Sequence, residues 1–302
     1  MATRLKRTLI LLRDTGQSFF QKDPMTYGAS IAFYTLISLP AITLLISMLI
    51  GTAYQSDNVQ DKLLQQLHQF MGQSSVETVD MILENAGDLG ETWWAKAITI
   101  GTLVFSATTV FISLQNALNN IWNLKPKPES SIVKYLVNRL LSFAMVVSLG
   151  FLLLVTLAVD SVVLLIENYL TDLLSGAAMV LVQTLNFTIS LILTTFLFAL
   201  IFKFLPDAEI KWRQVRLGGL VTAILFIIGK YLLGIYLSFS DVGSAYGAAG
   251  SLVLFLTWIY YSSIILLFGA NFTYVYAKLH DNYIQPSKHA TFVEEKEVEN
   301  MQ

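Results

Sequence analysis

Two ionisable side chains, Asp160 and Lys230, fall inside long apolar runs, where an isolated charge at the bilayer centre costs several kcal/mol. At ~1.5 Å rise per residue they lie ~9 and ~13 Å below the same expected membrane face. Opposite charges at similar depth can form a buried pair. In the plainer alternative each reaches interfacial water along its own stem. Uncharged polar groups are the second resource. Gln115, Asn116, Asn119 and Asn120 crowd one end of the second apolar run, and Asn186, Thr188, Ser190, Thr194 and Thr195 run through the fourth. Tyr261 and Asn271 lie in the sixth. Such groups line solute paths, but they also bond helix to helix for ~1 kcal/mol or less each. Asp160, Lys230, Asn271, Tyr261, Asn116 and Asn186 are the candidate intramembrane functional residues.

Other chemistry lacks the residues it needs. The three histidines, His68, His280 and His289, are scattered, and cysteine is absent, so neither thiolate metal sites nor disulfides can form. No Ser/His/Asp grouping, phosphate-binding glycine loop or paired carboxylates appear. The expectation is a protein that is not an enzyme and needs no cofactor or metal.

The elements that position these groups are six apolar stretches, roughly Gly28 to Tyr54, Ala97 to Trp122, Leu140 to Ile166, Ala177 to Phe202, Leu217 to Phe239 and Gly250 to Ala277. A spanning helix needs ~20 residues, so each can cross a bilayer. With 55% hydrophobic residues, 13% charged residues and a mean hydropathy of +0.61, a soluble domain is excluded. The fold class expected is all-α, a polytopic bundle of six transmembrane helices, with the lipid bilayer as its first partner.

Charge orients the bundle. Of the 19 lysines and arginines, all but Lys62, Lys96 and Lys230 flank alternate spans on one side, the side that also carries both ends of the chain. Short basic loops stay in the cytoplasm, so both termini are expected there. The opposite side is acidic, with Asp57, Asp61, Glu77, Asp80, Glu84, Asp88, Glu91, Glu167, Asp172 and Asp241, and will not attract nucleic acid.

Residues 1–21 place Leu5, Leu9 and Leu12 at helical spacing among cations, as in an amphipathic juxtamembrane helix on the anionic inner leaflet. No signal peptide is expected, because the apolar run Leu9 to Leu12 ends at Arg13. The transmembrane domain takes in 22–280. Within it, the outer loop 57–94 carries Val59, Leu63, Leu67 and Phe70 at helical spacing and a capping box at Ser74 and Glu77, giving two short amphipathic helices. Pro40 is expected to kink the first span, and Gly243 to Gly247 allows a close contact or an irregular entry into the membrane. The tail 281–302 lacks the apolar area to fold independently and is expected to be disordered. The two halves show no convincing internal repeat.

The segment DVGSAYGAAGSLVLFLTWIYYSSIILLFGAN, Asp241 to Asn271, resembles the signature of the YihY/BrkB family of bacterial inner-membrane proteins. YGASIAFYTLISLP from Tyr27 to Pro40, SLQNALNNIWN from Ser113 to Asn123 and LPDAEIKWRQVRLGG from Leu205 to Gly219 resemble it further, in the same order. The resemblance implies a six-span protein of the bacterial cytoplasmic membrane. It departs at Asn271, where many members carry Glu after the Gly-Ala pair. The ribonuclease label the family once bore finds no ligand cluster here. Links of the family to surface properties and serum resistance imply transport of an amphipathic or lipid-like molecule. The alternative is a scaffold or envelope assembly factor that transports nothing.

Overall fold

A computed structural model describes residues 2–53, 93–127, 176–239, 250–280, 283–288 and 290–293. Asp160 with the expected third span, the outer loop 57–94 up to Thr92, and Gly243 to Gly247 lie outside the described residues, as do the side chains of Pro40 and Asn186. Six helices are described: α1 (Ala2–Gln21), α2 (Pro24–Ala53), α3 (Trp93–Ile121), α4 (Gly176–Phe204), α5 (Trp212–Phe239) and α6 (Gly250–Leu279). Helices α2 to α6 coincide with the expected spans one, two, four, five and six. Three windows among the described residues are long and apolar enough to cross a membrane, Phe187–Phe204, Trp212–Tyr236 and Leu252–Leu279, on α4, α5 and α6.

Local chemistry sets the helix ends. Asp23 takes a positive φ of 49°, a conformation Asp tolerates better than most residues, and closes α1 within two residues of α2. Pro24 then opens α2, where a missing N–H costs nothing. Asn123, with φ 56°, caps the end of α3 in the same left-handed conformation. At the start of α5 the Gln214 side chain reaches back to accept from the Lys211 N–H at 3.1 Å, one half of a capping box.

Helix α6 is the hub, touching α1, α2, α3 and α5, while α4 packs on α5 and α3 on α2. Its seam with α5 is built on reciprocal glycine and threonine pairs. A Cβ on Gly218 would collide with the Thr273 hydroxyl, and one on Gly269 with the Thr222 hydroxyl. Both threonines donate to their own helix, Thr222 to Gly218 O at 2.7 Å and Thr273 to Gly269 O at 2.8 Å. The backbones can therefore approach closely without an unpaired hydroxyl. Farther along, Phe198 of α4, Phe226 of α5 and Trp258 of α6 form a chain of edge-on ring contacts at 5.7 and 5.8 Å.

The tail expectation is corrected over residues 285–286 and 290–292. Strand β1 (Leu124–Pro126) pairs antiparallel with β4 (Ala290–Phe292), and β2 (Ala208–Glu209) with β3 (Gln285–Pro286). The segment has little apolar area of its own. It is held instead by backbone bonds to two edges that the bundle already supplies, with Ile284 and Ala290 buried as anchors.

Candidate functional site

The polar side chains of the described bundle gather at the end expected to face the cytoplasm, where the last turns of α3 and α6, the α4–α5 connection, α1 and the tail meet. Asn119 sits on the inward face of α3 and is buried. Its Nδ2 donates to Asp207 Oδ2 at 2.9 Å, and its Oδ1 accepts from the Asp207 backbone N–H at 2.9 Å. Gln115, one turn earlier on the same face, donates to Asp207 Oδ1 at 3.3 Å. Both carboxylate oxygens of a half-buried loop aspartate thus accept from amides of one helix. The Asp207 carbonyl in turn accepts from Ser287 N–H of the tail at 3.0 Å.

A second set of bonds joins α3, α1 and α6. Trp122, fully buried, donates its indole N–H to Ala270 O at 2.9 Å. Asn120 donates to Lys22 O at 3.1 Å, the Lys22 ammonium donates to Asn123 Oδ1, and Asn123 Nδ2 donates to the Tyr274 hydroxyl at 3.3 Å. The tail closes this set as well, with Val293 N–H donating to Asn123 O at 2.8 Å.

Asn271, fully buried, belongs to the same level. Its Nδ2 donates to Thr15 O at 2.8 Å and its Oδ1 accepts from Ser18 Oγ at 3.2 Å. The side chain therefore clamps α1 to α6. Phe19 adds an edge-on contact with Phe268 at 5.3 Å. The charges around this end are mostly positive, with Lys125, Lys127, Lys211, Arg213, Arg216, Lys278 and Lys288 all exposed and Asp23 and Glu209 the exposed acids among the described residues there.

The candidates do not form one group. Asn116 is exposed, turned ~60° from Asn119 and ~100° from Gln115 about the α3 axis, so it misses the inward stripe that they share. Lys230, half-buried on α5, and Tyr261 of α6 belong to the other half of the bundle, with Tyr261 ten residues, or ~15 Å, from Asn271. A Cβ on Gly229, the neighbour of Lys230, would stand 2.6 Å from the Tyr261 hydroxyl, so Tyr261 packs directly against the backbone beside the lysine. Asp207 is the residue sequence reasoning missed. Its signal is an acid two residues from Glu209 in a short connection between two spans, flanked by Lys203 and Lys211.

Among the described residues no group of three His, Asp or Glu is placed to hold a metal ion. What the arrangement can do is tie five segments together and close one end of the bundle. The family model described as Virulence factor BrkB matches residues 15–293. A UPF0761 membrane protein of Aeromonas salmonicida is 28% identical over 89% of this chain and 92% of its own length. UPF0761 membrane proteins of Pseudomonas aeruginosa and Ralstonia nicotianae are 33% and 30% identical over 62% and 63% of this chain. The matches span 46% and 42% of those two relatives, less than half of each. No solved structure matches the chain significantly.

Proposed function

Because the chain belongs to the virulence factor BrkB family, whose relatives here are named membrane proteins, we propose that it translocates an amphipathic, lipid-like molecule across the bacterial cytoplasmic membrane. The observation that carries this reading is Lys230, an ammonium group kept half-buried within an apolar helix beside Tyr261. A charge at that depth is costly, and such residues in membrane helices serve substrate and ion pathways. On this reading the protein has six spans with both termini in the cytoplasm. The basic end, where Leu118, Ile121, Trp122 and Phe202 are fully buried, is the closed end of the path. No catalytic step and no cofactor enter, and the substrate is recognised by an anionic group meeting Lys230 and by apolar tails facing the helices.

A second reading, a scaffold that transports nothing, is favoured by the cluster at that same end. There Asn119, Asp207, Asn271 and Trp122 are all engaged in bonds between segments, as helix packing alone would have them. Complementation separates the two. In a strain lacking the gene, scored for sensitivity to detergents and serum, Lys230→Arg should restore resistance, and Lys230→Met should fail at normal membrane abundance. Full restoration by Lys230→Met would favour the scaffold.

A further inference from the structure

Helix α1 has two faces of different character. Thr15 and Phe19 are buried against the bundle, and Ser18 is bonded to Asn271. About a third of a turn away, Leu9, Leu12 and Phe20 are 60, 54 and 69% exposed, spaced so that they fall on one stripe at 100° per residue. Arg13, exposed, borders that stripe, and the space over Gly16 within it is open. Between Met1 and Gln21 the chain carries Arg4, Lys6, Arg7 and Arg13 against a single acid, Asp14.

We infer that this stripe docks on an anionic bilayer surface, so that α1 is an arm lying in the lipid interface and clamped from behind to α6 by Asn271. Charge complementarity commits the occupant. Arg13 beside an exposed apolar stripe, on a helix whose sequence also carries Arg4, Lys6 and Arg7, matches anionic headgroups over acyl chains, whereas an acidic protein groove would leave Phe20 and the leucines to find apolar pockets of their own. The clamp adds a consequence that a free amphipathic tail lacks. Movement of α1 at the surface is carried to the helix that touches α2, α3 and α5. This inference needs only that the protein sits in a membrane, and stands whether the bundle translocates or scaffolds.

The chain has no cysteine, so single replacements report unambiguously. Leu9→Cys, Leu12→Cys and, as an exposed reference on the tail, Gln285→Cys can each be labelled with an environment-sensitive fluorophore in the full-length protein. The labelled proteins are placed in nanodiscs of phosphatidylcholine alone and of phosphatidylcholine with phosphatidylglycerol. The expected result is blue-shifted emission and several-fold weaker acrylamide quenching at positions 9 and 12 than at 285, with the difference larger in the anionic discs. Equal quenching at 9 and 285 in anionic discs, which would mark a face waiting for a protein, overturns the inference. Shielding that is the same in both lipids overturns it too.

Discussion

Asn119 and Asp207 hold each other by two hydrogen bonds that run in opposite directions, amide to carboxylate and backbone N–H to amide oxygen, both at 2.9 Å. This pair fixes the α4–α5 connection against α3 and turns the Asp207 carbonyl toward the tail. Replacing Asp207 with Ala leaves the buried amides of Asn119 and Gln115 without their acceptor, a loss of ~1 to 3 kcal/mol. Thermal unfolding in detergent of Asp207→Ala, Asn119→Ala and the double variant should give a double-variant penalty well short of the sum. Strict additivity would show that the two residues do not act as a pair.

The glycine and threonine seam between α5 and α6 makes a contrasting pair of expectations. Gly269→Ala forces a methyl group onto the Thr222 hydroxyl and should destabilise by ~1 to 3 kcal/mol, as overpacked cores do. Gly234→Ala, on an exposed stretch of α5 with open space around it, should be neutral or stabilising by ~0.5 to 1 kcal/mol. Equal effects of the two, measured side by side, would mean that α5 and α6 do not approach as closely as described.

Asn271→Ala removes both bonds to α1 while placing a good helix former at that position. Hydrogen exchange in α1 should accelerate severalfold, with α5 and α6 little changed, and trypsin should cut sooner at Arg13. Unchanged protection of α1 would place its anchorage elsewhere, on Phe19 and Phe268 or on lipid.

Lys125 and Thr291 stand opposite each other in the β1–β4 pair. Directly paired antiparallel residues have Cα atoms ~4.5 to 5.5 Å apart, within disulfide range. Lys125→Cys with Thr291→Cys should cross-link under mild oxidation, seen as a mobility shift reversed by reductant. Lys125→Cys with Gln285→Cys should not. Cross-linking of both pairs alike would indicate a tail without register.

The helices of this bundle are legible because burial in a bilayer demands long apolar runs, and those runs mark α2 to α6 within a few residues of their ends. The helical spacing of Leu9 and Leu12 likewise announces α1. The inner cluster is not legible in that way. Asn119 and Asp207 are 88 positions apart, and no periodicity says that a loop carboxylate will face one amide of α3 and not its neighbour Asn116. Asn271 reads as a polar residue in a span, but its partners are a backbone carbonyl and a serine of α1, which only the packing of α1 on α6 brings near. The tail misleads for a related reason. Composition measures what a segment can bury by itself, whereas Ser287 and Val293 are held by carbonyls of distant loops. Gly218 and Gly269 are similarly silent until their threonine partners are known.

Translocation itself is tested most directly by reconstituting the purified protein into vesicles containing a trace of fluorescent anionic lysolipid and following the fraction that a membrane-impermeant reductant can bleach. The account predicts that the protected inner-leaflet pool becomes bleachable much faster than in protein-free vesicles, and that Lys230→Met slows this at least tenfold while leaving thermal stability unchanged. A protected pool equal to that of empty vesicles, with protein verified as folded and inserted, would contradict translocation of such a molecule and leave the bundle a scaffold.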